Sequence, residues 1–242
     1  MKILLLGCEY SGTTTLAQNI FDWGQNTMGA DFGLFHDHWK IPHVTGHWPI
    51  DTESFATHQE QTELLQLNPK MKEQMQRHNI YYHIQPGAFK KGEEEKQGFY
   101  SDYLAIGMHL EDAVYGPMYF GYGAEGQPAP RKTLTKTVER ALLQYAPDFV
   151  LVLVKASPNV IQQRMENAPH PNQVIKPSDV EIILEKFEEE FSNSKIRNKF
   201  VLDTSNQNKN QTLNEFIIKI EPFLSEDDIK RKNEFKNQPS RD

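Results

Sequence analysis

The segment with the clearest chemical signature is 7–15, which reads GCEYSGTTT. Its two glycines allow a tight turn in which successive backbone N–H groups converge on an anion. Helical periodicity begins at Thr14, and the N-terminus of a helix adds positive charge at the same place. The segment therefore predicts a turn that holds a phosphate group. The expected contacts come from Gly7, Tyr10, Ser11, Gly12, Thr13, Thr14 and Thr15.

This segment departs at one position from the phosphate-binding motif G-x-x-x-x-G-K-[ST]. Gly7 and Gly12 match the two glycines, and Thr14 takes the position whose hydroxyl binds Mg²⁺. Thr13 stands where the motif has a lysine that offsets phosphate charge during transfer. Either another cation takes over this role, or transfer is slow or absent. The candidate cations are Lys40, Lys90, Lys91, Arg131 and Lys132.

Strands and helices alternate along the chain in a way that would place this turn at the edge of a sheet. Apolar runs at 2–6, 103–108, 149–154 and 199–202 indicate buried parallel strands. Periodicity, capping residues and prolines predict helices at 14–23, 51–67, 70–78, 135–145, 178–191 and 212–224. The order of these elements predicts an α/β fold, a three-layer doubly wound parallel sheet of about five strands with helices on both faces.

Length and composition predict one domain over 1–224, with a lid-like segment near 165–177 and a charged, flexible tail at 225–242. The net charge of -7 excludes a general attraction to nucleic acid or to anionic lipid. The apolar run at 2–6 is too short for a membrane span or a secretion signal. The single cysteine, Cys8, excludes an internal disulfide. A cytoplasmic protein is therefore expected.

A second cluster of functional side chains follows the apolar run 103–108. Ligands of doubly wound sheets bind at the carboxyl ends of the strands, so Glu111 and Asp112 are expected to face the turn. Here the chain resembles the deoxynucleoside kinase and thymidylate kinase group of P-loop nucleotide kinases, in which a Glu-Arg-Ser motif precedes a tyrosine-rich helix. Glu111, Tyr115 and Tyr119 match this pattern, whereas Asp112 replaces the arginine. In these terms the turn is a degenerate Walker A motif that lacks its lysine.

The resemblance covers most of residues 1–224, although its matching motifs are short. Further matches are Ala-Pro-Asp at 146–148, Ser-Pro-Asn-Val at 157–160, Arg164, and Val-Leu-Asp-Thr at 201–204. The lid of such kinases usually clamps phosphate with arginines, but 165–176 contains none. The resemblance implies that Arg164 supplies part of the missing positive charge, and that Glu111 contacts the acceptor or the metal.

The resemblance also implies a general base at the end of the second strand. There these kinases carry an acidic residue with a tryptophan shortly after it, and the segment 35–39, Phe-His-Asp-His-Trp, fits. Asp37 would accept the hydroxyl proton of the acceptor; a helix cap or a surface acid is the alternative. Substrate contacts are expected from His36, His38, Trp39, Tyr115 and Tyr119. The histidines at 36, 38, 43 and 47 lack a cysteine partner and a recognised metal-binding spacing, so substrate contact or packing explains them better than a metal site.

Three functions stay open at this stage. The first is a nucleoside or nucleotide kinase that uses ATP and Mg²⁺ on a small acceptor. The second is a sulfotransferase, because Ser-Gly-Thr-Thr at 11–14 resembles the phosphosulfate loop of that family, although Tyr10 stands in place of its lysine. The third is a nucleotide-binding protein without transfer activity. The expected partners are a nucleotide and a small-molecule acceptor, without nucleic acid or membrane, and a homodimer is left open.

Overall fold

The computed structural model describes residues 1–32, 57–84, 102–170 and 172–236, and the backbone of two short strands at 35–36 and 47–48. The strands are β1 (Lys2–Leu6), β2 (Phe35–His36), β3 (His47–Trp48), β4 (Tyr103–Ile106), β5 (Val150–Lys155) and β6 (Asn198–Asp203). They form one sheet in the order β3-β2-β4-β1-β5-β6. Four pairings are parallel, and β3 pairs with β2 antiparallel at the edge. The predicted doubly wound α/β fold is thereby confirmed.

Helices cover both faces of this sheet. They are α1 (Thr13–Met28), α2 (His58–Gln66), α3 (Pro69–His83), α4 (Met108–Tyr115), α5 (Arg131–Tyr145), α6 (Pro158–Asn167), α7 (Val180–Asn193), α8 (Lys209–Ile220) and α9 (Glu226–Lys236). Alternate residues of β1 enter two apolar clusters: Leu4 and Leu6 pack with α4, α5 and α7, while Ile3 and Leu5 pack with α1 and α8. Within the described ranges, the longest apolar helical stretch falls short of what a membrane crossing needs.

Two of the boundaries that differ from the predictions lie next to a glycine or a proline. The strand predicted to reach Met108 ends at Ile106, because Gly107 turns the backbone with φ +76° and α4 begins directly after it. The helix predicted from residue 135 begins at Arg131, directly after Pro130. The first part of the helix predicted over 51–67 lies outside the described residues.

Within the segment predicted as a charged, flexible tail, residues 226–236 form α9, which packs against α1. Asp102, buried at the start of β4, accepts hydrogen bonds from Nη1 and Nη2 of Arg231 at 2.7 and 2.8 Å. Asp228 of α9 is also buried and accepts one from the Met1 ammonium at 3.0 Å. The sequence pattern does not predict this helix, because ion pairs rather than an apolar stripe hold it.

Acidification is expected to weaken the docking of α9. Burial acts to raise the pKa of Asp102 and Asp228, but the neighbouring cations outweigh it, so both pKa values lie below their ordinary value. Such carboxyls take up protons more readily in the unfolded chain, so their stabilisation is complete above about pH 4 and is lost as the pH falls further. The free energy of unfolding, measured in urea between about pH 6 and pH 3, should therefore decline below about pH 4.

Two variants distinguish the contribution of the Asp102–Arg231 ion pair from that of other carboxylates. Arg231→Met should show a shallower acid decline, because the folded-state pKa of Asp102 rises when its main partner is lost. Lys232→Gln removes a cation from a pair with the exposed Glu221 and should follow the parent curve. Equal slopes for the parent and Arg231→Met would contradict the assignment.

Candidate functional site

The carboxyl ends of β1 and β4 meet at the point where the chain reverses its direction across the sheet. The connection after β1 leads to β2, beyond β4, whereas the connection after β4 leads to β5, on the other side of β1. Open α/β sheets bind ligands in the crevice that forms where neighbouring strands connect in opposite directions. The predicted phosphate turn follows β1, and Glu111 follows β4, so both belong to this crevice.

The turn after β1, residues 7–12, is called here the phosphate loop. A side chain at Gly7 would place its Cβ 2.4 Å from the carbonyl oxygen of Val154 on β5, so only glycine fits. Gly12 adopts φ +99° directly before α1, and Tyr10 also has a positive φ of 67°. The Ser11 N–H donates to the carbonyl of Cys8 at 3.1 Å. The loop is therefore a tight turn folded against β5.

The amide donors of this loop and of the first turn of α1 form two groups. The Glu9 N–H donates to the hydroxyl of Tyr115 at 3.1 Å, so that amide and the Ser11 amide are used within the protein. The first intrahelical bond of α1 runs from Leu16 N–H to the carbonyl of Gly12, which leaves the preceding helical N–H groups without an acceptor inside α1. Donors for an anion are therefore expected at the start of α1.

The start of α1 opens into a cavity of about 530 Å³. Of the predicted nucleotide contacts, the structure brings Gly7, Tyr10, Gly12, Thr13, Thr14 and Thr15 to its wall. Ser11 is fully buried behind this wall. The side chains of the loop thus leave it open toward the cavity. A turn that binds phosphate needs such an opening.

Glu111 lines the same cavity from the side of β4. It is 5% exposed, and its carboxylate lies over the turn at Gly107, where an added Cβ would fall 1.7 Å from Glu111 Oε2. Asp112 points elsewhere, because successive helical side chains are about 100° apart. It forms a buried ion pair with Arg131 Nε at 2.6 Å and accepts a hydrogen bond from the Tyr122 hydroxyl. The expectation that both acids face the loop therefore holds for Glu111 and is wrong for Asp112.

Arg164 also lines the cavity, and its guanidinium joins the phosphate loop to the end of β6. Nη1 donates to the carbonyl of Tyr10 at 2.8 Å and to Thr204 Oγ1 at 3.1 Å, while Nη2 donates to the carbonyl of Thr204 at 2.9 Å. Burial lowers the pKa of Arg164. The guanidinium therefore braces the loop as well as bringing a positive charge to it.

Of the cations expected to replace the loop lysine, the two that the structure describes lie away from the cavity. Arg131 is buried with Asp112 and Glu73, and Lys132 lies on the exposed side of α5, away from the cavity. Lys40, Lys90 and Lys91 fall outside the described residues.

A cation that sequence reasoning missed is Lys209, the first residue of α8. It is exposed and lines the cavity next to Gln207. A lysine is unfavourable at the N-terminus of a helix, where the helix dipole is positive. Its position directly after the capping residue Asn208 is the signal in the sequence that could have drawn attention to it.

The predicted substrate contacts are only partly placed by the structure. Tyr115 is fully buried beneath the phosphate loop, and burial raises its pKa. Tyr119 donates to Asp179 Oδ2 at 2.9 Å, so neither tyrosine reaches the cavity wall. Only the backbone of His36 is described; Asp37, His38 and Trp39 lie outside the described residues.

No protein-family model matches this chain, and no curated protein matches it either. Solved structures do share its fold. Deoxyadenosine kinase from M. mycoides with bound dATP gives a TM-score of 0.54 at 14% identity and covers 91% of this chain and 100% of its own. Thymidylate kinase from Candida albicans gives 0.52 at 13% identity, with coverages of 96% and 93%. The YorR protein from Bacillus subtilis, solved with phosphorylated GDP, gives 0.52 at 14% identity, with coverages of 93% and 99%. The chain has the fold of the P-loop nucleotide kinases.

Proposed function

We propose that this protein is a kinase-like phosphotransferase that moves the terminal phosphoryl group of ATP, bound with Mg²⁺, to a small acceptor of the nucleoside or nucleotide class. The observation that carries the proposal is the phosphate loop, which opens into a cavity between Glu111 and Arg164. A volume of about 530 Å³ lies within the usual range of small-molecule sites. The fold that the chain shares with a deoxyadenosine kinase and a thymidylate kinase supports the same function.

The proposal gives a role to the N–H groups at the start of α1, to Arg164 and to Asp37. The N–H groups at the start of α1 bind phosphate oxygens, and Arg164 keeps the loop in the shape that presents them. Asp37 orients the acceptor hydroxyl and takes its proton. Residues act here mainly by positioning the reactants, because phosphoryl transfer needs little covalent participation by the protein.

The residues present fit Mg²⁺ when it is shared with a nucleotide. Thr14 offers an exposed hydroxyl and Glu111 a carboxylate, and Mg²⁺ prefers oxygen ligands of this kind together with phosphate and water. Across the described part of the chain, no cluster of three or more His, Cys, Asp or Glu side chains could hold a metal without a nucleotide. When bound, the ion would neutralise phosphate charge.

Lys209 is proposed to supply the positive charge that Thr13 does not. Lys209→Gln should weaken ATP binding roughly tenfold and reduce its dependence on salt, because one ammonium contact with phosphate is lost. Isothermal titration at two ionic strengths measures both effects. Lys136→Gln, an exposed lysine on α5 away from the cavity, is the matched control and should bind as the parent does. Equal affinities for the parent and Lys209→Gln would rule out this role.

A second candidate function is nucleotide binding without transfer. Thr13 in place of the loop lysine favours it, as do the hydrogen bonds that already occupy Arg164. Thermal shift with ATP, with nucleoside monophosphates and with 3′-phosphoadenosine compounds tests binding, since a ligand of the native state raises its stability. Labelled ATP with a panel of nucleosides and nucleotides then tests transfer. Stabilisation by ATP without transfer favours the second candidate, and preference for 3′-phosphoadenosine compounds favours a sulfotransferase.

A further inference from the structure

The phosphate loop carries two side chains that bind the chain segment between α6 and α7. One carboxylate oxygen of Glu9, Oε2, accepts hydrogen bonds from the backbone N–H groups of Val174 and Ile175 at 3.0 and 2.9 Å. The Tyr10 hydroxyl accepts one from the His170 N–H at 2.8 Å and donates one to Gln173 Oε1 at 2.6 Å. Four hydrogen bonds thus join the loop to the described residues of this connection, 168–170 and 172–179.

These contacts are chemically strong ones. Glu9 is 7% exposed, and a carboxylate buried to this extent requires hydrogen-bond donors to offset its lost hydration. Bonds from N–H groups to an ionised carboxylate are roughly twice as strong as bonds between neutral groups. The rings of Tyr10 and His170 also pack with their centroids 4.5 Å apart. The connection, in turn, gains acceptors for backbone N–H groups that lie outside any helix or strand.

The same connection reaches across the cavity to α2. Asn172 Nδ2 donates to Gln61 Oε1 at 3.0 Å, and Gln61 lines the cavity together with His58 of the same helix. His170 lines it as well. The connection therefore builds one wall of the cavity, and it is anchored to the phosphate loop on one side and to α2 on the other.

We infer that Glu9 and Tyr10 are positioning residues, which dock the α6–α7 connection on the phosphate loop and couple this docking to nucleotide binding. The connection has no arginine between 165 and 176 that could bind phosphate directly. Here side chains of the loop bind the backbone of the connection instead. An anion and the connection contact the same short loop, and any change that one of them makes in the affinity of the other is returned by the same factor. The coupling, unlike the docking, rests on the proposed function.

Hydrogen exchange of the protein without nucleotide tests the docking. Glu9→Ala should speed exchange of the Val174 and Ile175 amides at least tenfold, because both lose a charged acceptor. Glu9→Gln keeps an oxygen that accepts and should give a smaller increase. Tyr10→Phe removes only the hydroxyl and should speed exchange of the His170 amide. Glu188→Ala, an exposed pairing partner of Lys155, is the control and should leave all three amides unchanged. Parent-like exchange in Glu9→Ala and Tyr10→Phe would overturn the inference.

Titration with ATP tests the coupling. In the parent, ATP should slow exchange of the Val174 and Ile175 amides, and Glu9→Ala and Tyr10→Phe should bind ATP roughly tenfold more weakly. Tyr10→Phe differs from the parent by one oxygen and keeps the ring contact with His170. It therefore tests the coupling even if Glu9→Ala is poorly folded. If ATP binds the parent without changing exchange, and both variants bind it equally well, the coupling is refuted. If the parent does not bind ATP, the proposed function fails, while the exchange rates without nucleotide still decide the docking.

Discussion

Asp37→Asn is expected to reduce phosphoryl transfer roughly 10²–10⁴-fold while ATP affinity stays within about twofold of the parent. Asparagine keeps the size of the side chain but cannot accept the proton of the acceptor hydroxyl. β2 pairs in parallel with β4, so its carboxyl end lies at the same sheet edge as Glu111. Asp37 is the next residue in the chain after β2, which is why it is the acid proposed for this step.

Transfer from labelled ATP, measured on the acceptor panel, gives the rate, and titration gives the affinity. Asp22→Asn changes an exposed carboxylate of α1 outside the cavity and is the matched control, expected to retain parent activity. A parent-like rate for Asp37→Asn would remove Asp37 from the proposed chemistry. A loss of ATP binding would assign Asp37 to the nucleotide instead.

Sequence reasoning was strongest where one short segment carries all the information. The strand at 2–6 was predicted with its observed limits, because five residues of mostly apolar type end at a glycine that no other residue could replace. The turn and the helix after it are equally local. The position of Lys209 is not local in this sense. This residue lines the cavity because β6 pairs with β5 and α8 follows β6. A local sequence pattern does not show which distant segments line the same wall of a cavity.

A second limit of prediction from sequence concerns residues that are adjacent or one helical turn apart. Glu111 and Asp112 are adjacent acids, and only the starting point of α4, set by the turn at Gly107, decides which of them faces the cavity. Tyr115 lies one helical turn after Glu111 on the same face of α4. Its hydroxyl accepts a hydrogen bond from the Glu9 N–H below the phosphate loop. Depth in the fold depends on packing, which the motif does not encode.

Asp112→Ala is expected to lower the free energy of unfolding by about 3–5 kcal/mol. The variant leaves Arg131 with one fewer partner in a buried position, and it also removes the acceptor of the Tyr122 hydroxyl. Burial raises the pKa of Asp112, and the positive charge of Arg131 acts in the opposite direction. The charged form of Asp112 therefore depends on Arg131. Urea unfolding measures the change. Glu188→Ala, which breaks the exposed pair with Lys155, should cost no more than about 1 kcal/mol.

A double variant shows whether the loss comes from the unpaired charge. Arg131→Met alone should also destabilise strongly, because Asp112 then stays buried without its cation. Asp112→Ala combined with Arg131→Met removes both charges, and the remaining partner, Glu73, is partly exposed and can be hydrated. The double variant should therefore lose about 1–3 kcal/mol less than the sum of the single losses. Strict additivity would mean that the two residues act independently. In that case the contact between Asp112 of α4 and Arg131 of α5 would not act as a buried ion pair that stabilises the packing of these two helices.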